Sequence, residues 1–166
     1  MKTTIIIDKA ESLSHNQRWK YMIGLGKKSK NDKFLTKSLR ELACSEIHYE
    51  RILALMSAHG SFDKEIITKL LEDSSDIGMF AAIKLAAKHL DSNQLVDIIP
   101  RLSKNKQIRI SLALLAEKQI DTIEQVYDKL RIPQQDMLFY TSERFFIEHI
   151  DQDIFNALTE SHSTPT

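Results

Sequence analysis

The sequence predicts an all-α chain, an α–α superhelix of about five helix-pair repeats, and three observations carry that prediction. Apolar residues recur at helical rather than strand spacing from about Asn16 to Leu158, as in Ile52, Leu55, Met56 and Ile66, Ile67, Leu70, Leu71. Only 4 Gly and 3 Pro in 166 residues leave room for short helix-to-helix turns and little else. An offset of 30 residues lays KLAAKHLDSNQLVDIIPRL on LLAEKQIDTIEQVYDKLRI, like upon like.

Under that offset Leu25, Leu55, Leu85, Leu115 and Phe145 form one column, Leu90, Ile120 and Ile150 a second, and Asp91, Asp121 and Asp151 a third. Ile66, Val96 and Val126 form an aliphatic column, and Trp19, Tyr49, Met79, Arg109 and Phe139 a mostly bulky one. The units fall near residues 16–45, 46–75, 76–105, 106–135 and 136–160 of a single domain spanning 1–160, followed by a flexible tail at 161–166. Ahead of the first unit, Thr3 to Ile7 alone has β-branched character.

Each unit reads as a helix pair. Asp91 is followed three residues later by Gln94 and Asp121 by Glu124, so each Asp is expected to cap a second helix while its partner reaches back. In the second unit Gly60-Ser61 takes the place of the Leu-Asp turn. In the first, Gly26 reads as a helix C-cap before the Lys-rich turn. Pro100 falls late in a helix and should kink or end it, because it removes an intrahelical hydrogen bond. A pair this short cannot bury its apolar stripe alone, so stacked neighbours must share a core.

The stretches AAIKLAAKHLDSNQLVDIIPRL and ISLALLAEKQIDTIEQVYDKL resemble the short, PBS-lyase-type HEAT-like repeats of about 30 residues. Such repeats have an Ala-rich first helix, a short turn with Asp, and Val early in the second helix. The chain departs from that pattern in two places. Val-Arg early in the first helix is matched only by Ile108-Arg109, and Pro100 lies late rather than early in its helix. The resemblance implies a solenoid used as a protein-interaction scaffold; a few relatives of this class are bilin lyases, and a related class is DNA glycosylases. None of those activities resides in the repeat columns, so function has to be sought on the surface.

Composition narrows the classes. Lys plus Arg balance Asp plus Glu at 23 each, which argues against a dedicated nucleic-acid binder. Charges interrupt every apolar run, so no membrane span is expected. A single cysteine, Cys44, cannot form an internal disulfide and reads as a small core residue, and the chain opens on polar MKTT; a reducing, cytoplasmic setting is expected.

The mean charge conceals a dipolar layout. From Asn16 to Arg40 eight cations stand against Asp32 alone. The candidate partner-binding residues are therefore those of the basic first repeat: Arg18, Trp19, Lys20, Lys27, Lys28, Lys30, Lys33, Lys37 and Arg40. They suit an acidic protein face or, with Trp19 interleaved, a phosphate backbone and a base. The competing reading is a solvated terminal repeat. Second-helix residues such as Lys33, Lys37, Arg40, Lys64, Gln94, Gln125 and Asn156 are expected to line the concave side.

Other features point to no chemistry. His59, His89 and His149 share a repeat column near helix C-termini, where a cation favours the helix dipole, and equivalent positions of a solenoid do not converge on a metal. IGLGKKS lacks the spacing of a phosphate loop. Glu72, Asp73 and Asp76 around Ser74-Ser75 read as turn and cap residues, and Phe139, Tyr140, Phe145, Phe146 and Phe155 as a divergent terminal cap. The expectation is a non-enzymatic protein-binding scaffold without cofactor or metal. The alternative is a nucleic-acid-binding solenoid, glycosylase-like, that uses the basic first repeat. Oligomeric state is left open by the sequence.

Overall fold

A computed structural model describes residues 1–75, 77–127 and 129 of the chain. All regular structure among them is helical. The order is α1 (Thr3–Glu11), α2 (His15–Ser29), α3 (Lys33–Ala43), α4 (His48–Ser61) and α5 (Lys64–Leu71), then a π-turn (Ile77–Ala81) leading into α6 (Ala82–His89). There follow α7 (Ser92–Ile98) with a 3-10 turn (Ile99–Arg101), α8 (Lys104–Ala116) and α9 (Ile120–Tyr127). No described helix is long and apolar enough to cross a membrane. Two compact units divide the chain between Leu85 and Ala86.

In the first unit α2 lies along α4, α3 packs on α4 and α5, and α1 packs on α2 and α3. α1 runs against its local propensity. Its Thr and Ile residues favour strands by intrinsic propensity, but Ile6 and Ala10, one helical turn apart, are both fully buried. Burial against neighbours overrides a preference of well under 1 kcal/mol per residue, about the spread of the helix scale.

α2 opens on a capping box: Ser14 Oγ accepts from the Gln17 amide and Gln17 Oε1 accepts from the Ser14 amide. Asp32 caps α3 by accepting from the amides of Phe34 at 3.0 Å and Leu35 at 3.1 Å. α3 buries Leu35, Ser38, Leu39, Leu42 and Ala43, a one-sided stripe, whereas α4 buries every residue from Leu53 to Ala58 and runs through the core.

The two glycines of the α2–α4 crossing explain why α4 sits so close. A Cβ on Gly26 would lie 2.0 Å from the Ser57 carbonyl oxygen, and one on Gly60 would lie 2.1 Å from the Ile23 carbonyl oxygen. The main chains of the two helices touch reciprocally where only hydrogen fits. This corrects two expectations. Gly26 lies inside α2 and serves close packing, not a C-cap. Gly60 and Ser61 end α4, and the turn comes at Phe62, in the left-handed region at φ 52°, and Asp63, which caps α5 through a 3.0 Å bond from the Ile66 amide.

In the second unit α7 packs on α9, and α8 on α9 and the 3-10 turn. Asp91 and Gln94 form the expected capping box, each bond 3.1 Å. α7 ends before Pro100, as a missing amide requires. The Ile99 and Pro100 carbonyls at that end accept from Gln107 Nε2 at 3.0 and 3.3 Å, the first of them beside a bond from the Leu102 amide. Asp121 does not cap: α9 begins at Ile120, so Asp121 falls within its first turn. α8 closes instead on Lys118 at φ 58°, with the Gln119 amide bonded back to the Leu114 carbonyl at 2.9 Å and the Lys118 amide to that of Leu115 at 3.0 Å.

One device recurs at the fourth residue of three helices. Arg18 in α2 donates to the Ala10 carbonyl at 2.9 Å and that of Leu13 at 3.1 Å. Arg51 in α4 donates to the carbonyls of Ser45 and Glu46 at 3.0 and 2.9 Å. Gln107 in α8 is the third. Each reaches back to carbonyls at the end of the preceding helix or in its exit turn, where the intrahelical ladder runs out.

Candidate functional site

The basic residues of the first repeat separate into two groups. One is engaged within the fold. Arg18 is spent on the end of α1 and also lies over the Tyr49 ring, 5.4 Å from its centroid. Trp19 meets the imidazole of His59 edge-on at 5.2 Å, so one side of its ring already has an occupant. Arg40 binds Asp63 Oδ2 through Nε and Nη2 at 3.2 and 3.0 Å, and Glu65 Oε2 through Nη1 at 2.7 Å.

The second group is solvated. Lys20, Lys27, Lys28, Lys30, Lys33 and Lys37 are all exposed. Lys27 and Lys28 sit in the last turn of α2, where positive charge complements the helix dipole. Lys30 lies 5.4 Å from the Phe62 ring centroid, a cation over an aromatic face.

Lys33, Lys37 and Arg40 follow one another at i, i+4 and i+7, which sets them on one face of α3. With Lys30 they line an open groove of about 630 Å³ whose remaining walls include Asn31, Asp32, Thr36, Glu41, Cys44 and Glu65. Thr36 fixes the corner of this groove. Its hydroxyl donates to the Ser29 carbonyl at 2.7 Å and to that of Asp32 at 3.0 Å, tying the exit of α2 to the start of α3.

Beside the groove, on the same helix, Phe34 projects 80% exposed into solvent. It lines a second, smaller hollow of about 400 Å³ with Met1, Lys2, Lys37 and Glu41. The α3 surface thus offers solvated cations, one pinned guanidinium and an apolar ring. Such a surface can pair with carboxylates or phosphates and cover a hydrophobic side chain.

Comparison of the chain with protein families, curated proteins and solved structures finds no match.

Among the described residues no three His, Cys, Asp or Glu side chains group into a metal site. Cys44, expected in the core, is exposed and lines the groove. It stands at i+11 from Lys33, and eleven residues are close to three full helical turns, which returns it to the cationic face. Lys64 and Gln125 are exposed, whereas Gln94 is occupied as the capping partner of Asp91. Asn156, His149 and the final aromatic residues lie outside the described residues.

The acidic turn after α5 is structural. The Asp73 carboxylate pairs with Arg51 and accepts from the Ser75 amide at 2.7 Å. Burial pushes its carboxyl up, but the bonds from Ser75 and Arg51 outweigh burial and hold it below the usual carboxylate range. Burial, helped by Lys88 and opposed by Glu117, keeps His89 below the usual imidazole value.

The spacing of Lys33, Lys37 and Arg40 was a readable signal for the groove. The pairing of Arg40 with Asp63 and Glu65 spans more than twenty residues and has no local signature. The exposure of Phe34 had none either, since phenylalanine is among the residues most often buried.

Proposed function

We propose that the chain is a short HEAT-like solenoid serving as a non-enzymatic protein-interaction scaffold. The solenoid reading is supported by the alternation of first and second helices at the period of the sequence repeat, α2 with α3, α4 with α5, α6 with α7 and α8 with α9. Leu25, Leu55, Leu85 and Leu115, one column of the repeat, are all buried. Ser92 and Thr122, equivalent under the 30-residue offset, have their hydroxyls 2.6 Å apart, as side-by-side copies of one position should.

The interaction reading rests on one observation, the convergence of Lys30, Lys33, Lys37 and Arg40 on a single groove. Lys33, Lys37 and Arg40 are held on α3 and Lys30 at the C-cap of α2, and their charge draws in an oppositely charged partner. The test is capture of proteins from cell extract on the purified chain, followed by size-exclusion chromatography of the eluate. A partner that co-migrates with the chain in fixed ratio is the expected result. An eluate with no co-migrating protein overturns the scaffold.

The nucleic-acid reading draws on the exposed ring of Phe34 beside Lys33 and Lys37, which could stack a base. It predicts binding to single-stranded oligonucleotides that weakens steeply with salt as counterions are released. No mobility shift at low ionic strength removes it.

A further inference from the structure

Resting on the scaffold reading, we propose that the α3 groove takes an acidic, apolar-containing peptide segment, and that Glu65 is a built-in competitor holding Arg40 until such a segment displaces it. Four cations line the groove, and three carboxylates, Asp32, Glu41 and Glu65, are interspersed among them. A nucleic-acid backbone carries charge at every step and would be repelled at each carboxylate. A peptide places its carboxylates only where cations stand and turns other side chains toward the rest. That pattern, with Phe34 presenting a bare ring beside the lysines, selects a peptide over a polyphosphate chain.

The three carboxylates are not equivalent. Asp32 is held by the amides at the start of α3. Asp63, outside the groove lining, is only 12% exposed; it caps α5 through Oδ1 and fixes Arg40 through Oδ2. Glu65 contacts the same guanidinium at 2.7 Å, yet 67% of its side chain is exposed. It is the exposed half of the Arg40 cluster, at the groove wall, and its ion pair is of the exposed kind that contributes little to folding. An incoming carboxylate can take its place on Nη1 while Asp63 keeps the guanidinium in position.

The probe is a fluorescein-labelled peptide rich in Glu with Leu at every fourth residue, titrated with the full chain and followed by anisotropy, beside a Gln-for-Glu peptide and a single-stranded oligonucleotide. The acidic peptide should bind, lose affinity as salt rises, and bind about tenfold less tightly to a Lys33→Glu, Lys37→Glu variant. Glu65→Gln should tighten binding about threefold, the worth of one exposed ion pair, while leaving folding stability unchanged or slightly lower. A structural role for Glu65 predicts weaker binding instead.

Lys33→Gln with Lys37→Gln should give a smaller loss in the same direction. Equal affinity for the Gln peptide, indifference to the lysine substitutions, or no gain from Glu65→Gln overturns the proposal. Tighter binding of the oligonucleotide than of the acidic peptide overturns it in favour of a nucleic-acid partner. A protein captured from extract equally well by the Lys33→Glu, Lys37→Glu variant overturns it while leaving the scaffold reading intact.

Discussion

Gly24 and Gly26 stand two residues apart in α2. A methyl group on Gly24 would meet nothing within 4 Å, whereas one on Gly26 would fall 2.0 Å from a main-chain oxygen of α4. The two faces of one helix therefore obey different constraints. Toward α4 the backbone itself is in contact, and the side-chain choice is reduced to hydrogen. Away from α4 the helix presents Gly24 among Lys20, Lys27 and Lys28, positions that packing leaves free to vary. The same division runs through the cations: Arg18 and Arg51 close helix ends, while the exposed ammonium groups of Lys33 and Lys37 make no hydrogen bond or ion pair among the described residues.

The strongest way to break this contrast is Gly26→Ala. The new methyl abuts backbone, not the flexible end of a side chain, so α2 and α4 must separate. A loss of at least about 3 kcal/mol is expected, at the upper end of overpacking, read from the urea midpoint. Gly60→Ala should cost a similar amount, and the double variant less than the sum, because one separation relieves both clashes. An unchanged midpoint for either would mean that the helices do not cross so closely.

Next in size is the partly buried ion pair between Arg51 and Asp73. Asp73→Asn should cost about 1.5–3 kcal/mol, the range for losing a hydrogen bond to a charged group. It also has a pH signature. A carboxyl whose folded pKa is lowered contributes stability that is complete above the ordinary carboxylate range and lost as pH falls through the folded value. Unfolding curves taken down the acid limb should therefore be flatter for Asp73→Asn than for the parent chain. Parallel curves would remove Asp73 from the account.

Gly24→Ala should have the opposite sign to Gly26→Ala. In a helix interior with open space around it, alanine gains about 0.5–1 kcal/mol over glycine. Smallest is the paired change Lys33→Gln and Lys37→Gln, expected to alter stability by less than about 0.5 kcal/mol as exposed positions do. A large loss there would place the two lysines among the residues that hold the fold.

Sequence reading captured what has a local cause. The Asp91 to Gln94 capping box and the end of α7 before Pro100 each follow from a few adjacent residues, and each stands as expected. What individual residues and turns did not reveal was set by their surroundings. Thr3 to Ile7 is helical because Ile6 has a core to enter, Gly26 is small because Ser57 lies opposite, and α9 starts a residue before Asp121 because Lys118 turns the chain first. The groove was half legible: helical spacing aligns Lys33, Lys37 and Arg40, but the withdrawal of Arg40 and Trp19 into contacts with Glu65, Asp63 and His59 depends on tertiary packing.

Trp19 carries a further consequence as the sole tryptophan of the chain. Its indole is shared between α2 and α4 through the ring of His59. Tryptophan emission therefore belongs to the first unit alone, while far-ultraviolet ellipticity sums every helix. Divergence of the two signals along a denaturation curve would resolve the melting of the α2–α4 crossing from that of the remaining helices, so the chain carries its own optical gauge of whether that crossing is closed.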